Sequence, residues 1–196
     1  MLLDKLKQFD IILASGSPRR QQLLAEMDIS FRVLTKPVEE VFPGGLSPDE
    51  AAAFLCQLKS EAFTEKDFNK NTLLITADTV VALDNRILGK PGNTQEAITM
   101  LRHLSGRKHQ VITGVCLRLP GKRKIFTTAT HVWFKTLPED EIDYYVRQYQ
   151  PFDKAGAYGI QEWIGHVAIR KIEGSYFNVM GLPTHRLYEE LDGFLE

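Results

Sequence analysis

Apolar runs at strand spacing recur along the whole chain. In the first half they are short, but residues 73–83 form a longer run rich in Val, Ile and Thr, and Asp84-Asn85 can turn it into a hairpin. In the second half, Pro120-Gly121-Lys122 separates two long runs and predicts an antiparallel hairpin. A further hairpin is predicted around Glu173-Gly174. The predicted strands are residues 10–14, 31–34, 73–83, 110–119, 124–135, 165–172 and 176–180.

Helical spacing and capping residues fill most of the intervals between these strands. Ser47 to Glu50 and Thr136 to Glu139 have the form of capping boxes, each followed by a helical pattern. The predicted helices are residues 21–27, residues 48 to about 66, a segment from Asn93 to Gly106, a segment from Thr136 to before Pro151, and a last helix opened by Pro183. The pattern predicts a mixed α/β sheet flanked by helices, in one domain over residues 1–196, with two lobes around a cleft as an option.

Composition narrows the classes of function. The 196 residues include 24 Lys plus Arg and 25 Asp plus Glu, a net charge of −1, so the basic excess that binds duplex nucleic acid is missing. Cys56 and Cys116 stand far apart in apolar surroundings and are expected to be buried free thiols. The charged N-terminal segment lacks the apolar region of a secretory signal, and the longest apolar run, 51–56, is far below the roughly 20 residues that span a bilayer. We expect a cytoplasmic protein that binds no membrane.

Common catalytic motifs are missing from the sequence. It contains no phosphate-binding loop of the Gly-x-x-x-x-Gly-Lys-Ser/Thr type, no His-Glu-x-x-His metal helix and no dinucleotide fingerprint. Its five histidines are scattered without a ligand pair. The chemistry must therefore come from charged residues in unusual positions.

The first unusual segment follows the first predicted strand. Residues 15–20 read Ser-Gly-Ser-Pro-Arg-Arg, which places hydroxyls, free backbone N–H groups and two guanidiniums at the start of a helix. Such a terminus can hold an anion. The alternative is a plain helix start in which Ser17 is the N-cap, Pro18 follows it and the arginines face solvent. Cations in a first turn oppose the helix dipole, which gives weight to the anion site.

The second segment centres on Asp78, a carboxylate inside a strand that otherwise has the composition of core. A buried carboxylate requires a cation, a metal or a functional proton, unless backbone donors at a strand end satisfy it. Lys90 lies in a constrained turn before Pro91, and Lys59 lies midway along a helix where solvent exposure is the default. Glu39 and Glu40 are unremarkable alone but could hold a hard divalent cation together with Asp78.

The third segment, residues 152–161, mixes small residues with polar ones. Its Gly and Ala residues leave room for a flat ligand, while Asp153, Lys154, Tyr158 and Gln161 offer hydrogen bonds. A plain turn before a strand would explain the glycines but not the whole decapeptide.

These segments, in this order, resemble one family. Ser-Gly-Ser-Pro-Arg-Arg at 15–20, Ala-Asp-Thr-Val-Val at 77–81, Gly-Lys-Pro at 89–91, Ser-Gly at 105–106 with Thr-Gly-Val at 113–115, and Asp-Lys-Ala-Gly-Ala-Tyr-Gly-Ile-Gln at 153–161 are similar to the Maf proteins. These are nucleoside triphosphate pyrophosphatases, also called septum formation inhibitor proteins. The resemblance covers roughly residues 11–191. It implies an inosine triphosphatase-like fold, a homodimer, and hydrolysis between the α and β phosphates with Mg²⁺ or Mn²⁺.

The resemblance also implies roles for individual residues. Asp78 matches the proton acceptor, and Arg19, Thr79 and Gln161 match the specificity positions. Glu40, Lys59 and Lys90 match polar groups around the phosphates and metal, with Glu40 and Asp78 as the expected metal ligands. Many relatives carry a Gly two residues before the acidic pair, whereas this chain reads Thr35-Lys36-Pro37-Val38 before Glu39-Glu40, so the choice of Glu40 over Glu39 stays open.

The form of residues 153–161 is similar to the branch that acts on dTTP, UTP and modified pyrimidine nucleotides, which predicts removal of such nucleotides from the pool. Cations on the phosphates, a positioned water and an acceptor for its proton meet the needs of such a hydrolysis. The amide of Gln161 and the hydroxyl of Thr79 could read the imide face of uracil or thymine. Two alternatives remain: an enzyme of the same fold acting on 7-methyl-GTP, and a non-catalytic regulator of septum formation.

Overall fold

Seven strands and eight helices alternate along the chain in the computed structural model, which describes residues 1–196. The strands are β1 (Asp10–Leu13), β2 (Arg32–Val33), β3 (Thr72–Leu83), β4 (Arg86–Leu88), β5 (Lys108–Leu119), β6 (Lys122–Phe134) and β7 (Ile169–Glu173). The helices are α1 (Leu2–Leu6), α2 (Pro18–Ala25), α3 (Pro48–Glu61), α4 (Thr94–Leu104), α5 (Glu139–Tyr149), α6 (Trp163–Ala168), α7 (Tyr176–Met180) and α8 (Thr184–Phe194). Short 3-10 turns occur at Glu65–Asp67 and Ala155–Ala157.

The strands form one mixed sheet in the order β2-β1-β3-β5-β6-β7, with β4 also paired to β3. β1 is parallel to both β2 and β3, whereas all other pairs are antiparallel. The connection from β1 to β3 carries α2, β2 and α3, as a parallel pair requires a long crossover. The predicted mixed sheet flanked by helices is confirmed.

One edge of β3 is open at its middle. β1 pairs with residues 72–75 of this strand and β4 pairs with residues 81–83, so residues 76–80 have no strand beside them on that side. On the other side, β5 pairs with residues 74–82 without interruption. Because Asp78 lies at the centre of the open stretch, its side chain is near a break in the sheet rather than within a closed one.

The two faces of β3 pack against different helices. Alternate residues such as Leu73, Ile75 and Val81 belong to the largest apolar cluster, which also includes buried residues of α2, α4, α5 and α8. The other set faces α3, where Val80 and Ala82 pack with Ala52 and Leu55. Side chains of a strand alternate between faces, so Asp78 points toward α3 and Thr79 points away from it.

Three predicted elements differ from the structure. Residues 176–180, predicted as a strand, form α7, because the side chain of Ser175 accepts a hydrogen bond from Asn178 N and caps a helix. The predicted strand at 165–172 is divided between α6 and the shorter β7. The hairpin predicted around Glu173-Gly174 is therefore wrong, because β7 is followed by a helix and pairs with β6 instead. The predicted helix from 48 ends at Glu61, since the Asp67 carboxylate accepts hydrogen bonds from Thr64 and starts a separate 3-10 turn. Short apolar runs do not distinguish strand from helix by periodicity alone.

The two capping boxes have different outcomes. At Ser47 the predicted box is present: Glu50 N donates to the Ser47 hydroxyl, and Ser47 N donates to the Glu50 carboxylate at 2.8 Å. The predicted box at Thr136 is wrong, because Pro138 is the N-cap of α5 and no side chain caps this helix.

Among the eight helices, none has the length and apolar character needed to cross a membrane.

Acid should weaken the fold through His109, whose side chain is buried. The residue is 2% exposed, its Nε2 is 2.8 Å from the hydroxyl of Tyr158, and its Nδ1 has no partner. Burial lowers the pKa of His109 from 6.5 to about 3. Below about pH 6.5 the unfolded chain therefore binds a proton that the folded protein rejects until about pH 3. We expect the free energy of unfolding to fall by up to about 1.4 kcal/mol per pH unit in this window.

Urea unfolding at pH 7.5, 6 and 5 measures this dependence. The matched variant is His109→Gln, which places an amide near the Tyr158 hydroxyl, where it can replace the hydrogen bond of the imidazole, but which cannot titrate. It should lose stability less steeply as the pH falls. Equal pH slopes for the wild-type protein and the variant would contradict the assignment to His109.

Candidate functional site

A cavity of about 290 Å³ opens at the free edge of β3. Its wall is built by α2, the end of α3, β3, the turn after β4, the loop between α5 and α6, and the end of α7. All seven residues singled out from the sequence lie on this wall: Arg19, Glu40, Lys59, Asp78, Thr79, Lys90 and Gln161. The structure thus brings together groups that are as far as 142 positions apart in the chain (161 − 19).

A second cavity, of about 570 Å³, adjoins the first along the loop between β1 and α2. The two cavities share Arg19, Glu40, Lys59 and Lys90 on their walls. The cations therefore lie between a polar chamber, whose wall includes Ser15, Gly16 and Ser17, and a chamber in which 11 of the 25 lining residues are hydrophobic. A ligand with an anionic end and a flat, apolar end would match this division.

Lys59 lies between two carboxylates at the end of α3. Its Nζ contacts Asp78 Oδ1 and is 2.8 Å from Glu40 Oε1, and its side chain is only 17% exposed. The expectation that Lys59 faces solvent is therefore wrong, because the last turn of α3 packs over the face of β3 that carries Asp78. Lys59 also accounts for the carboxylate in an apolar strand, since an adjacent cation offsets the cost of burying that charge.

Glu40, rather than Glu39, joins this group. Lys90 Nζ lies 3.3 Å from Glu40 Oε2, on the side of the carboxylate opposite Lys59. Burial raises the pKa of the Glu40 carboxyl, but the hydrogen bond and charge of Lys59 and the charge of Lys90 outweigh it, so the pKa lies below its ordinary value. The carboxylate is charged at neutral pH as a result. Asp78, Lys59, Glu40 and Lys90 form a line of alternating charges along the cavity.

The two consecutive arginines have different surroundings. Arg20 donates to Gly181 O at 2.8 Å, Ala77 O at 2.9 Å and Thr79 Oγ1 at 3.0 Å, so its guanidinium joins α2 and β3 to the end of α7. Arg19 lines the cavity, and its Nη1 lies 3.4 Å from Asp153 Oδ2. Adjacent helical residues point about 100° apart, which is why only one of the two can make these backbone contacts.

The start of α2 bears on the two interpretations of residues 15–20, an anion site and a plain helix start. Ser17 is the N-cap and Pro18 follows it, but the Ser17 side chain makes no capping hydrogen bond. It lies instead on the walls of both cavities. The hydroxyl and the N–H groups of this first turn are thus available to an anion, as the anion-site interpretation requires.

A buried network supports the loop that carries Gln161. Lys154 Nζ lies 2.7 Å from Asp153 Oδ1 and 3.1 Å from Glu162 Oε1, and the Tyr145 hydroxyl contacts Glu162 and accepts from Gly159 N at 3.1 Å. Burial, with Glu162 beside it, raises the pKa of the Tyr145 hydroxyl. The sequence analysis missed Tyr145 and Glu162, because a tyrosine on the apolar side of a helix has the pattern of ordinary core.

Gln161 itself forms no hydrogen bond to the protein through its amide oxygen, which is buried and without a partner. Unsatisfied buried polar atoms are rare in folded proteins and often await a ligand or water. The position of this amide on the cavity wall fits a group that hydrogen-bonds to a bound molecule.

Divalent cations have two carboxylate ligands available, Asp78 and Glu40. No group of three or more His, Cys, Asp or Glu side chains is arranged to hold a metal ion. Mg²⁺ is commonly held by one or two carboxylates together with substrate phosphates and water. The donor set therefore fits a cation that arrives with a polyphosphate rather than one held by the protein alone.

Removing Lys59 should destabilise the protein by exposing the cost of the buried carboxylate. In Lys59→Met, Asp78 loses its cation, and we expect the free energy of unfolding at pH 7 to fall by about 2 kcal/mol. Urea unfolding measures this loss. In a Lys59→Met/Asp78→Asn double variant most of the loss should be recovered, since an amide is cheaper to bury than a charge. Strictly additive effects of the two substitutions would contradict a direct coupling between the residues.

The sequence is similar to a known protein family and to individual proteins of known name. A family model described as Maf-like protein matches residues 10–194. The chain is 51% identical to a dTTP/UTP pyrophosphatase of Porphyromonas gingivalis, over 100% of this chain and 99% of the relative. It is 49% identical to a dTTP/UTP pyrophosphatase of Christiangramia forsetii, with the same coverage, and 50% identical to one of Bacteroides fragilis, over 97% of this chain and 98% of the relative.

Among solved structures, the Ham1 protein of Staphylococcus aureus has a TM-score of 0.50 at 20% identity, covering 94% of this chain and 98% of that one. At this identity the similarity concerns the fold alone. The family model extends over nearly the whole chain, and about half of the residues are identical to those of the curated relatives. The chain belongs to the Maf-like protein family.

Proposed function

We propose that this protein hydrolyses dTTP and UTP to the nucleoside monophosphate and pyrophosphate, and so removes these or modified pyrimidine nucleotides from the pool. The observation that carries the proposal is Asp78, a carboxylate 8% exposed at the edge of a cavity whose wall also holds Arg19, Lys59 and Lys90. Relatives at about half identity over their full length are named dTTP/UTP pyrophosphatases, which supports the same activity and substrates.

The cations of the site suit a triphosphate. Such a chain carries about four negative charges, which must be neutralised before an oxygen nucleophile approaches phosphorus. In our proposal the phosphates bind near the Ser15–Ser17 loop, Arg19 and Lys90, where the two cavities meet. The base then lies in the more apolar chamber beside Thr79 and Gln161. Lys59 remains between the phosphates and the carboxylates.

Asp78 is the proposed proton acceptor. The oxygen of a water molecule forms a bond to the α phosphorus. The bond from this phosphorus to the oxygen that bridges the α and β phosphates breaks, and pyrophosphate leaves with the bridging oxygen. The proton of the water passes to an Asp78 carboxylate oxygen, in the manner of general-base catalysis. Asp78 and Glu40 would hold a divalent cation, Mg²⁺ or Mn²⁺, which when bound supplies charge to the phosphate oxygens and orients the water.

A pyrophosphate-release assay with four substrates tests the proposal. The wild-type protein should release pyrophosphate from dTTP and UTP in the presence of Mg²⁺ or Mn²⁺, should act far more slowly on CTP and 7-methyl-GTP, and should stop when EDTA is added. A preference for 7-methyl-GTP would contradict the proposed substrates and assign 7-methyl-GTP as the substrate instead. Nucleotide binding without turnover would contradict the enzymatic proposal and favour a regulator of septum formation.

Four further predictions from the sequence concern the protein as a whole. We infer that residues 1–196 act as one domain, which the continuous seven-stranded sheet supports. The homodimer and the cytoplasmic location stay predictions, as does the lack of nucleic-acid binding, which rests on the net charge of −1.

A further inference from the structure

The hydroxyl of Thr79 already has two hydrogen-bond partners within the protein. Arg20 Nη2 lies 3.0 Å from Thr79 Oγ1, and Thr113 Oγ1 lies 2.9 Å from the same atom. Thr79 also forms part of the cavity wall. Its side chain lies on the face of β3 opposite the one that carries Asp78 and packs against α3. A ligand in the cavity would therefore meet a Thr79 hydroxyl whose own hydrogen-bonding capacity is already partly used.

The direction of the contact between the two threonines follows from a third group. Thr113 is fully buried, and its hydroxyl donates to the backbone carbonyl of Asn178 at 3.1 Å. A carbonyl oxygen only accepts, and a threonine hydroxyl has a single proton, so that proton is committed to Asn178. Thr113 Oγ1 must then accept the proton of Thr79. The reverse direction would forfeit the buried bond to Asn178, at a cost in free energy.

The capacity left to Thr79 follows by counting. A hydroxyl has one donor and two acceptor positions. Its donor is used on Thr113, and one acceptor position receives Arg20, whose guanidinium only donates. One acceptor position remains. Toward the cavity, Thr79 is thus an acceptor and not a donor.

Gln161, the other polar group expected to face the base, lacks this fixed polarity. Its amide oxygen has no partner in the protein, and no side chain holds its amide in one orientation. An amide that turns over can present either its N–H₂ group or its oxygen. Gln161 alone would therefore accept both the carbonyl of uracil and the amino group of cytosine, and discrimination has to come from a group that cannot turn over.

We propose, building on the proposed function, that Thr113 is a positioning residue for substrate specificity: it holds the Thr79 hydroxyl as an acceptor, so that the cavity prefers a base with a ring N–H over one with a bare ring nitrogen. Uracil and thymine have an N–H at position 3 of the ring, whereas cytosine has an unprotonated nitrogen there. Binding of cytosine would require Thr79 to donate, and this would break the chain of hydrogen bonds that ends at Asn178.

The test measures binding, so that it does not depend on turnover. Dissociation constants for the α,β-methylene analogues of UTP and CTP, with Mg²⁺, are determined by calorimetry for the wild-type protein and two variants. Thr113→Val removes the acceptor for the Thr79 proton at nearly constant volume, and Thr113→Ser keeps it. Thermal midpoints are recorded for each. Thr113→Ala makes the same removal without new contacts and replaces the Val variant if that one does not fold.

The wild-type protein should bind the UTP analogue more tightly than the CTP analogue. In Thr113→Val the Thr79 proton is free, so this preference should shrink by roughly 3- to 10-fold, the effect of one hydrogen bond. Thr113→Ser should restore it. An unchanged ratio of dissociation constants, with both analogues weakened equally, would assign Thr113 a purely structural role and overturn the proposal. A wild-type protein without preference would overturn it too, whereas intact preference without pyrophosphate release would count only against the proposed function.

Discussion

Replacing Asp78 with Asn should lower pyrophosphate release from dTTP by at least about 100-fold, within the range that general acid–base groups contribute. The carboxamide cannot accept the proton of the attacking water, although it has nearly the same shape. Folding should change little, because Lys59 keeps Glu40 as a partner at 2.8 Å when the carboxylate at position 78 is gone. We expect the thermal midpoint to stay within a few degrees of the wild-type value. Initial rates at saturating Mg²⁺ and dTTP measure the effect.

Asp84→Asn is a matched control for this variant. Asp84 lies in the turn between β3 and β4, six positions further along the chain, and its side chain is 70% exposed. Its backbone φ is 48°, a conformation that Asn also adopts readily. This control should retain the wild-type rate. Full activity in Asp78→Asn, or an equal loss in both variants, would exclude Asp78 as the proton acceptor.

Gly114→Ala should cause a large loss of stability although it adds only one methyl group. Gly114 lies in β5 directly opposite Asp78, and a Cβ atom at this position would be 2.3 Å from the backbone oxygen of Ala52 in α3. Backbone cannot yield as a flexible side chain can, so α3 must move away from the sheet. Overpacking of this kind costs about 1–3 kcal/mol or more. For a protein of this size a loss of about 3 kcal/mol lowers the thermal midpoint by roughly 6–12 °C.

The same displacement should reduce catalysis, because α3 carries Lys59. We expect the rate with dTTP to fall even at temperatures where Gly114→Ala is fully folded. Gly193→Ala, in α8, is the control: a Cβ there meets nothing within 4 Å. Since Ala favours a helix over Gly by about 1 kcal/mol, this variant should be as stable as the wild type or more so. Equal thermal midpoints for Gly114→Ala and the wild type would refute the close packing of α3 on β5.

Local sequence was sufficient for the elements that have both a periodic pattern and a matching turn. The hairpins at Asp84-Asn85 and at Gly121 form as predicted, because the turn residues adopt positive φ between strands that alternate or run continuously apolar. Prediction failed at residues 176–180, where the same five apolar and polar residues suit a strand or a helix. There the decision came from Ser175, whose cap on Asn178 has no equivalent in a strand.

The seven site residues were selected through motif resemblance and by the cost of a carboxylate within an apolar strand. Their partners were not. Asp78 was expected to need a cation, but the sequence offered Arg19, Lys59 and Lys90 without a ranking. Lys59 takes this place because α3 packs on the face of β3 that carries Asp78, whereas Arg19 starts from the opposite side and contacts Asp153. Spacing along a chain does not reveal which face of a sheet a distant helix covers.

By itself, then, the sequence was enough to predict the mixed sheet, most of its strands and the family, since these depend on local periodicity and on residue types in a fixed order, and it supplied the residues on which the proposed chemistry rests. Folding in three dimensions added the open edge of β3, the pairing of Asp78 with Lys59, the hydrogen bonds by which Arg20 joins β3 to the end of α7, and the direction of the hydrogen bonds from Thr79 through Thr113 to Asn178. Each of these depends on contacts between residues distant in the chain, and such contacts exist only once the sheet and its helices have packed.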